Sequence, residues 1–236
     1  MTTRSTARLR ALVIEHEPAT PGGLVLEWLR SRSILVDVLR IYEESREVDP
    51  NAYDLIVSLG SEFAAFDETV PWLDRERQML AQAAREDVPV LGVCFGGQLL
   101  ASALGGKAFR AKTSEIGWFP VRSTQPELVG EGPWFQWHFD TFTPPPGATV
   151  IAESDAGPQA YVIGRNLGVQ FHPEVTDEIM DRWVATYRHE LDAEGVDPDA
   201  LLHETRRNTA ATRSASIRLM DGFFDHVAGL ARSERP

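Results

Sequence analysis

Cysteine occurs once in the 236 residues, at Cys94. One cysteine cannot form an intrachain disulfide, nor build a multi-cysteine zinc or iron–sulfur centre. It also excludes the zinc-deaminase pattern, in which a cysteine pair follows H-x-E. Basic residues are the minority: 23 Lys and Arg against 35 Asp and Glu give a formal net charge of −12 at pH 7 with His neutral. That balance argues against non-specific nucleic-acid binding, which needs a concentrated basic face to neutralise phosphates. No run approaches the about 18 consecutive apolar residues of a membrane span, so a soluble, cytoplasmic protein is expected. Met1 to Arg10 lack a secretory apolar core, although their Arg, Ser and Thr content leaves an organelle-targeting reading open. Phosphate-binding loops are missing too: Gly105-Gly106-Lys107 lacks the Walker spacing and no G-x-G-x-x-G occurs. Neither a metal nor a cofactor is expected. For Cys94 there remain a buried bystander, a redox-sensitive thiol or a nucleophile, and its position must choose.

The remaining composition, 43% hydrophobic and 25% charged, is that of an ordinary globular chain with a sizeable core. Short β-branched runs alternate with helical patterns. Leu12-Val13-Ile14, Ile34–Val38, Tyr53–Val57 and Val88–Val93 read as buried strands. Between them lie helical segments carrying Leu24, Val25, Trp28 and Leu29, and then Leu73, Met79 and Leu80 within about residues 72–86. A further apolar helix ends near Leu104-Gly105-Gly106. This alternation predicts an α/β fold, a flavodoxin-like three-layer sandwich with a mostly parallel central sheet. From Phe109 to Phe171 the pattern changes to short extended runs near 118–121, 150–153, 160–163 and 168–171, separated by loops. The 62 residues after Glu174 read as helices. One carries the stripe Ile179, Trp183, Tyr187, Leu191 and stops at Gly195, and another starts at Asp197-Pro198. The economical organisation is a domain over 1–175 with a helical C-terminal extension over 176–236, packed on or continuing it. That extension is also a candidate self-association face, so a homo-oligomer is possible.

Cys94 sits in Val90-Leu91-Gly92-Val93-Cys94-Phe95-Gly96-Gly97-Gln98, where a buried strand meets a helix. Glycines two residues before and after it permit the sharp strand-to-helix turn of a nucleophile elbow. A side chain at that turn sits over a helix N-terminus, whose orphan N–H groups and macrodipole favour negative charge. The Phe95 N–H would point toward a developing oxyanion. A thiol nucleophile needs a base and a group that orients it. His172 and Glu174 in Gln170-Phe171-His172-Pro173-Glu174 supply both: Pro173 holds His172 extended, and residues i and i+2 of an extended chain share a face. A metal pair lacks a third ligand of suitable spacing, and a solvated strand end is the bland reading of H-x-E standing alone.

Other histidines carry less. His189, His203 and His226 lie in polar helical context and are expected in solvent. His16 follows the first strand and is a cleft candidate. His138, in the aromatic-rich segment Trp134-Phe135-Gln136-Trp137-His138-Phe139-Asp140, is read as part of a loop that suits a pocket wall as well as a packed, satisfied histidine.

The two segments around Cys94 and His172 together resemble class I (triad-type) glutamine amidotransferases, and most of all stand-alone proteins related to the amidotransferase domain of GMP synthase. His172 follows Cys94 by 78 residues, which suits that domain. Gly60, Glu115-Ile116-Gly117-Trp118 and Trp137-His138-Phe139-Asp140 add to the likeness, which spans about residues 9–175. The resemblance implies hydrolysis of the glutamine side-chain amide. Cys94 would attack, His172 would protonate ammonia, and a γ-glutamyl thioester would be cleaved by water. It implies oxyanion N–H groups at Gly60 and Phe95, a substrate-holding role for Gln98, and backbone contacts from His138 and Phe139. Comparable proteins often have Gly where Phe139 stands. The C-terminal 62 residues are too few for an ATP-pyrophosphatase domain, so an ammonia acceptor on another chain, a synthetase subunit, is expected. Two alternatives stay open: a γ-glutamyl peptidase or hydrolase with the same triad, and a catalytically silent regulatory protein on this fold.

Overall fold

The computed structural model describes residues 8–231; residues 1–7, on which most of the targeting reading falls, lie outside the described residues. Leu12-Val13-Ile14 form the wholly buried centre of β1 (Arg10–Glu15). It leads into α1 (Gly23–Ser31) and β2 (Leu35–Arg40), then β3 (Leu55–Ser58), α2 (Leu73–Arg85), β4 (Val90–Val93) and α3 (Phe95–Ala103). The central region holds β5 (Lys107–Phe119), β6 (Arg122–Ser123), β7 (Trp134–Thr143), β8 (Thr149–Ser154), β9 (Gly157–Ile163) and β10 (Asn166–Val169). The chain continues through α4 (Asp177–Thr186), α5 (Arg188–Glu194) and α6 (Pro198–Gly222).

Eight strands form one sheet in the order β2-β1-β3-β4-β10-β9-β8-β6. The first five run parallel and the last three continue the sheet antiparallel. Strand alternation distributes the core between two faces. Ala11, Val13, Leu55 and Val57 pack with α1 and with Leu219 and Met220 of α6, while Leu12, Ile14, Ile56 and Val90 pack with α2 and α3. This is the α/β three-layer architecture expected from the alternating pattern. In such sheets ligands bind beyond the carboxyl ends of the strands, at the point where strand order reverses. Here that point lies between β1 and β3, and His16, Gly60, Cys94 and His172 all follow the carboxyl ends of parallel strands.

Two expectations are corrected. The segment 134–140, read as a loop, belongs to β7, which pairs antiparallel with the 13-residue β5 in a separate two-stranded sheet. β5 escaped notice because its first half is polar and mostly exposed, and its register shifts between Arg110 and Glu115, so no alternation survives. The stripe from Ile179 to Leu191 spans two helices, not one. Tyr187, at φ −107° and ψ 27°, separates α4 from α5 while its phenol donates to Glu17 Oε2 at 2.6 Å. The periodicity persists because both helices bury the same side, against Trp118, Phe135 and Trp137.

The helices after residue 175 touch both parts of the molecule. Trp183 Nε1 donates to the Ala19 carbonyl at 2.8 Å, and Trp118 Nε1 to Thr205 Oγ1 of α6 at 3.1 Å. Asp197 caps α6 by accepting from the amides of Asp199 and Ala200. Among the described residues no helix is long and apolar enough to cross a membrane.

Candidate active site

The chain turns from β4 into α3 at a single residue. Cys94 stands there at φ 50° and ψ −109°, a conformation sparsely populated for any side-chain-bearing residue. The surroundings hold it: its N–H donates to the Val169 carbonyl at 2.8 Å and its carbonyl accepts from Gln98 N–H at 3.0 Å. Gly96 explains how the elbow fits. A Cβ there would lie 2.1 Å from the Ser58 carbonyl oxygen, so only glycine lets the first turn of α3 pass the end of β3. The Cys94 thiol lies 3.9 Å from the Trp137 carbonyl and receives the Gln170 Nε2–H at 3.5 Å.

His172 and Glu174 meet as the extended i, i+2 geometry requires. Nδ1 and Oε1 are 2.7 Å apart, and both residues are almost fully buried. With Nδ1 on the carboxylate, Nε2 is the free end of the ring, and it has no hydrogen-bond partner among the described residues. Burial opposes a charge on this ring, but the Glu174 carboxylate and an ionised Cys94 nearby outweigh it and push His172 from 6.5 up to about 10. Trp183 stands edge-on to the imidazole with ring centres 4.8 Å apart, which holds its plane. The Glu174 backbone carbonyl accepts from the Leu24 N–H at 2.9 Å, tying this segment to the start of α1.

Gly60 faces the pair. A Cβ built there would sit 3.1 Å from His172 Cε1 and 3.9 Å from Cys94 Cβ, so the loop after β3 closes directly over both residues. Its orientation is set from both sides. The Leu59 carbonyl accepts from Gly96 N–H at 3.0 Å, and the Gly60 carbonyl receives His16 Nδ1 at 3.0 Å and Thr20 Oγ1 at 3.3 Å. The Gly60 and Phe95 amides find no acceptor among the described residues and remain available. His16 is therefore a buried member of the loop support, with Nε2 2.9 Å from Glu76 Oε2, and does not line the open cleft.

Gln98 reaches the same neighbourhood: its Nε2 donates to the Asp140 carbonyl and to Gln170 Oε1, both at 3.1 Å. His138 is a packed, satisfied histidine. Its Nδ1 bonds the Asp140 carbonyl and its Nε2 bonds Glu115 Oε2, each at 3.0 Å, and that carboxylate also accepts from Ser154 and Gln159. Phe139 is partly buried beneath the Arg110 guanidinium, 4.8 Å from its ring centre. It has no positive φ, so the strand accepts a side chain there without strain. His189, His203 and His226 are exposed, as expected.

Cys94 lies at the waist of a two-lobed cleft. One lobe is bounded by Phe63, Phe95, Gln98, His138, Phe139 and Asp140, the other by Thr20, His172, Trp183 and Tyr187; Ser61, Glu62, Cys94, Trp137 and Glu190 border both. Sequence reasoning missed Gln170, Trp183, Tyr187, Glu190 and Glu62. Gln170 had a signal, since it shares the face of His172 two residues on. The others reach the cleft only through the packing of α4, α5 and the loop after β3.

A class-I glutamine amidotransferase family model matches residues 23–185. A glutamine amidotransferase-like protein of Salmonella typhimurium, YfeJ, is 29% identical over 209 residues, covering 79% of this chain and 85% of that protein. Glutamine-hydrolysing GMP synthase of Thermus thermophilus is 38% identical over 160 residues, 64% of this chain but 30% of the synthase, so the likeness spans under a third of that enzyme. The solved structure of a glutamine amidotransferase from Thermotoga maritima superposes with a TM-score of 0.83 at 32% identity, covering 92% of this chain and 98% of that one.

Proposed function

Because the chain belongs to the class-I glutamine amidotransferase family, we propose that Cys94, His172 and Glu174 form a triad that hydrolyses the glutamine side-chain amide through a γ-glutamyl thioester. The observation that carries this reading is the buried His172–Glu174 pair at 2.7 Å, with His172 bordering the cleft beside the elbow cysteine. Cys94, its proton already held by His172, attacks the γ-carbonyl carbon as the thiolate. The tetrahedral oxyanion is held by the free amides of Gly60 and Phe95, donors of a kind whose removal costs about 3–4 kcal/mol of barrier stabilisation. As the C–N bond breaks, His172 gives its proton to the departing nitrogen and ammonia leaves. Water then attacks the thioester with His172 as base, releasing glutamate and restoring the thiolate. Glu174 keeps the ring oriented and stabilises its cationic form.

Gln98 and the backbone at His138 and Phe139 hold the amino-acid end of the substrate, in the lobe that these residues border. The ammonia passes to an acceptor bound by another chain. The test is a Cys94→Ala chain assayed for ammonia and glutamate release from glutamine, with circular dichroism as the folding control. Release is expected to vanish with the fold intact, and turnover equal to that of the parent chain would sink the mechanism.

A further inference from the structure

The two lobes on either side of Cys94 differ in chemistry. Under the triad reading, on which this inference rests, the amino-acid end of the substrate occupies the lobe of Gln98. The departing nitrogen lies on the side from which His172 delivers its proton, and His172 borders only the second lobe. That lobe is walled by aromatic rings. Trp137 stands edge-on to Trp183 and to Tyr187, with centres 6.1 Å and 5.9 Å apart. Its rim, shared with the first lobe, carries carboxylates. Glu62 is exposed, and Glu190 fixes one oxygen on Trp137 Nε1 at 2.6 Å while no donor among the described residues takes the other. Among the described residues no lysine or arginine borders the lobe.

Ammonia needs no such wall. A small neutral leaving group gains nothing from three rings, and an anionic one would be repelled by the rim. An aliphatic chain ending in a cation gains from both: its methylenes cover aromatic faces, and its charge meets the ring quadrupoles and the carboxylates. The His172 imidazole, 3% exposed, borders this lobe beside Cys94.

We infer that the Trp137–Trp183–Tyr187 lobe with Glu62 and Glu190 is a leaving-group subsite for a cationic alkylamine, so that the preferred substrate is a γ-glutamyl conjugate of an aliphatic diamine. The step balances as ordinary amide hydrolysis. The Cys94 sulfur–carbon bond forms, the γ-carbonyl C–N bond breaks, and the His172 proton goes to the leaving nitrogen. Water then cleaves the thioester, leaving glutamate and free diamine.

The full chain is assayed on three amides: glutamine, γ-glutamylbutylamide and γ-glutamyl-1,4-diaminobutane. The expected order of kcat/KM is diamine conjugate above butylamide above glutamine, with at least tenfold between the first two. In Glu190→Gln, which keeps an oxygen for Trp137 Nε1, the diamine-over-butylamide ratio is expected to fall at least tenfold. Preference for glutamine, or equal turnover of the two conjugates, overturns the inference and leaves the glutaminase reading standing. Calorimetric titration of Cys94→Ser separates the two claims. Tighter binding of the diamine conjugate than of butylamide there, with no turnover of any amide by the parent chain, would sink the hydrolase reading while keeping the subsite. Equal binding overturns the subsite.

Discussion

His16 Nδ1 lies 3.0 Å from the carbonyl oxygen of Gly60, and that contact fixes the loop that faces Cys94 and His172. A carbonyl only accepts, so Nδ1 carries a proton. The other ring nitrogen lies 2.9 Å from Glu76 Oε2, and Ser58 donates to Oε1 of the same carboxylate at 2.7 Å. The buried pair therefore also holds a proton between Nε2 and Oε2. His16→Ala leaves Glu76 Oε2 without its partner in the core and removes one of the two donors to the Gly60 carbonyl. The expected loss of stability is about 3–5 kcal/mol, read as a lower denaturant midpoint. In the folded fraction kcat is expected to fall while KM changes little, the outcome required by the proposed oxyanion role of the Gly60 amide.

Glu174 sets the working pH of His172. Its carboxylate is a main cause of the rise to about 10. Glu174→Gln removes that charge, so the titration of His172, followed by NMR, is expected to move to lower pH, and with it the alkaline limb of kcat. Activity at the optimum is expected to drop by about 10⁴, the size of the loss when an orienting carboxylate becomes an amide. The sign for stability follows from the raised value. The contribution of this group is fully present below 6.5 and is lost as pH rises through about 10.

Gly96→Ala tests the elbow. The added Cβ would meet Ser58 O at 2.1 Å and Ser58 Oγ at 2.5 Å, and backbone cannot step aside as a flexible side chain can. A destabilisation of about 3 kcal/mol or more is expected, with thermal unfolding as the measurement. Wild-type stability in this variant would mean that α3 and β3 are not so closely apposed.

A chain ending at residue 175 is expected to lose native tertiary structure. It would strip Trp183 from His172 and Ala19, Thr205 from Trp118, and Leu219 and Met220 from the core face shared with α1. Near-UV circular dichroism is the readout. A native-like spectrum with glutaminase turnover would show that the helices are dispensable.

The relationships legible in the sequence are those within a few residues of one another. The G-x-C-x-G elbow needs only a strand end and a helix start, and His172 and Glu174 meet because two residues along an extended chain return to the same face. The alternation of strands and helices, and the faces that Ala11 to Ile14 divide between, follow from the same short periods. His16 and Glu76 are 60 residues apart, and Trp137 comes from β7, Trp183 from α4 and Tyr187 from the break between α4 and α5. Nothing local marks those partners. β5 hid behind a polar, bulged half, and Tyr187 broke a helix without breaking its stripe. Local chemistry thus placed Cys94 at a strand-to-helix elbow and His172 beside Glu174. The support of the Gly60 loop and the aromatic, acidic lobe beside His172 arose from packing, because long-range contacts are chosen by how whole layers fit and not by any spacing along the chain.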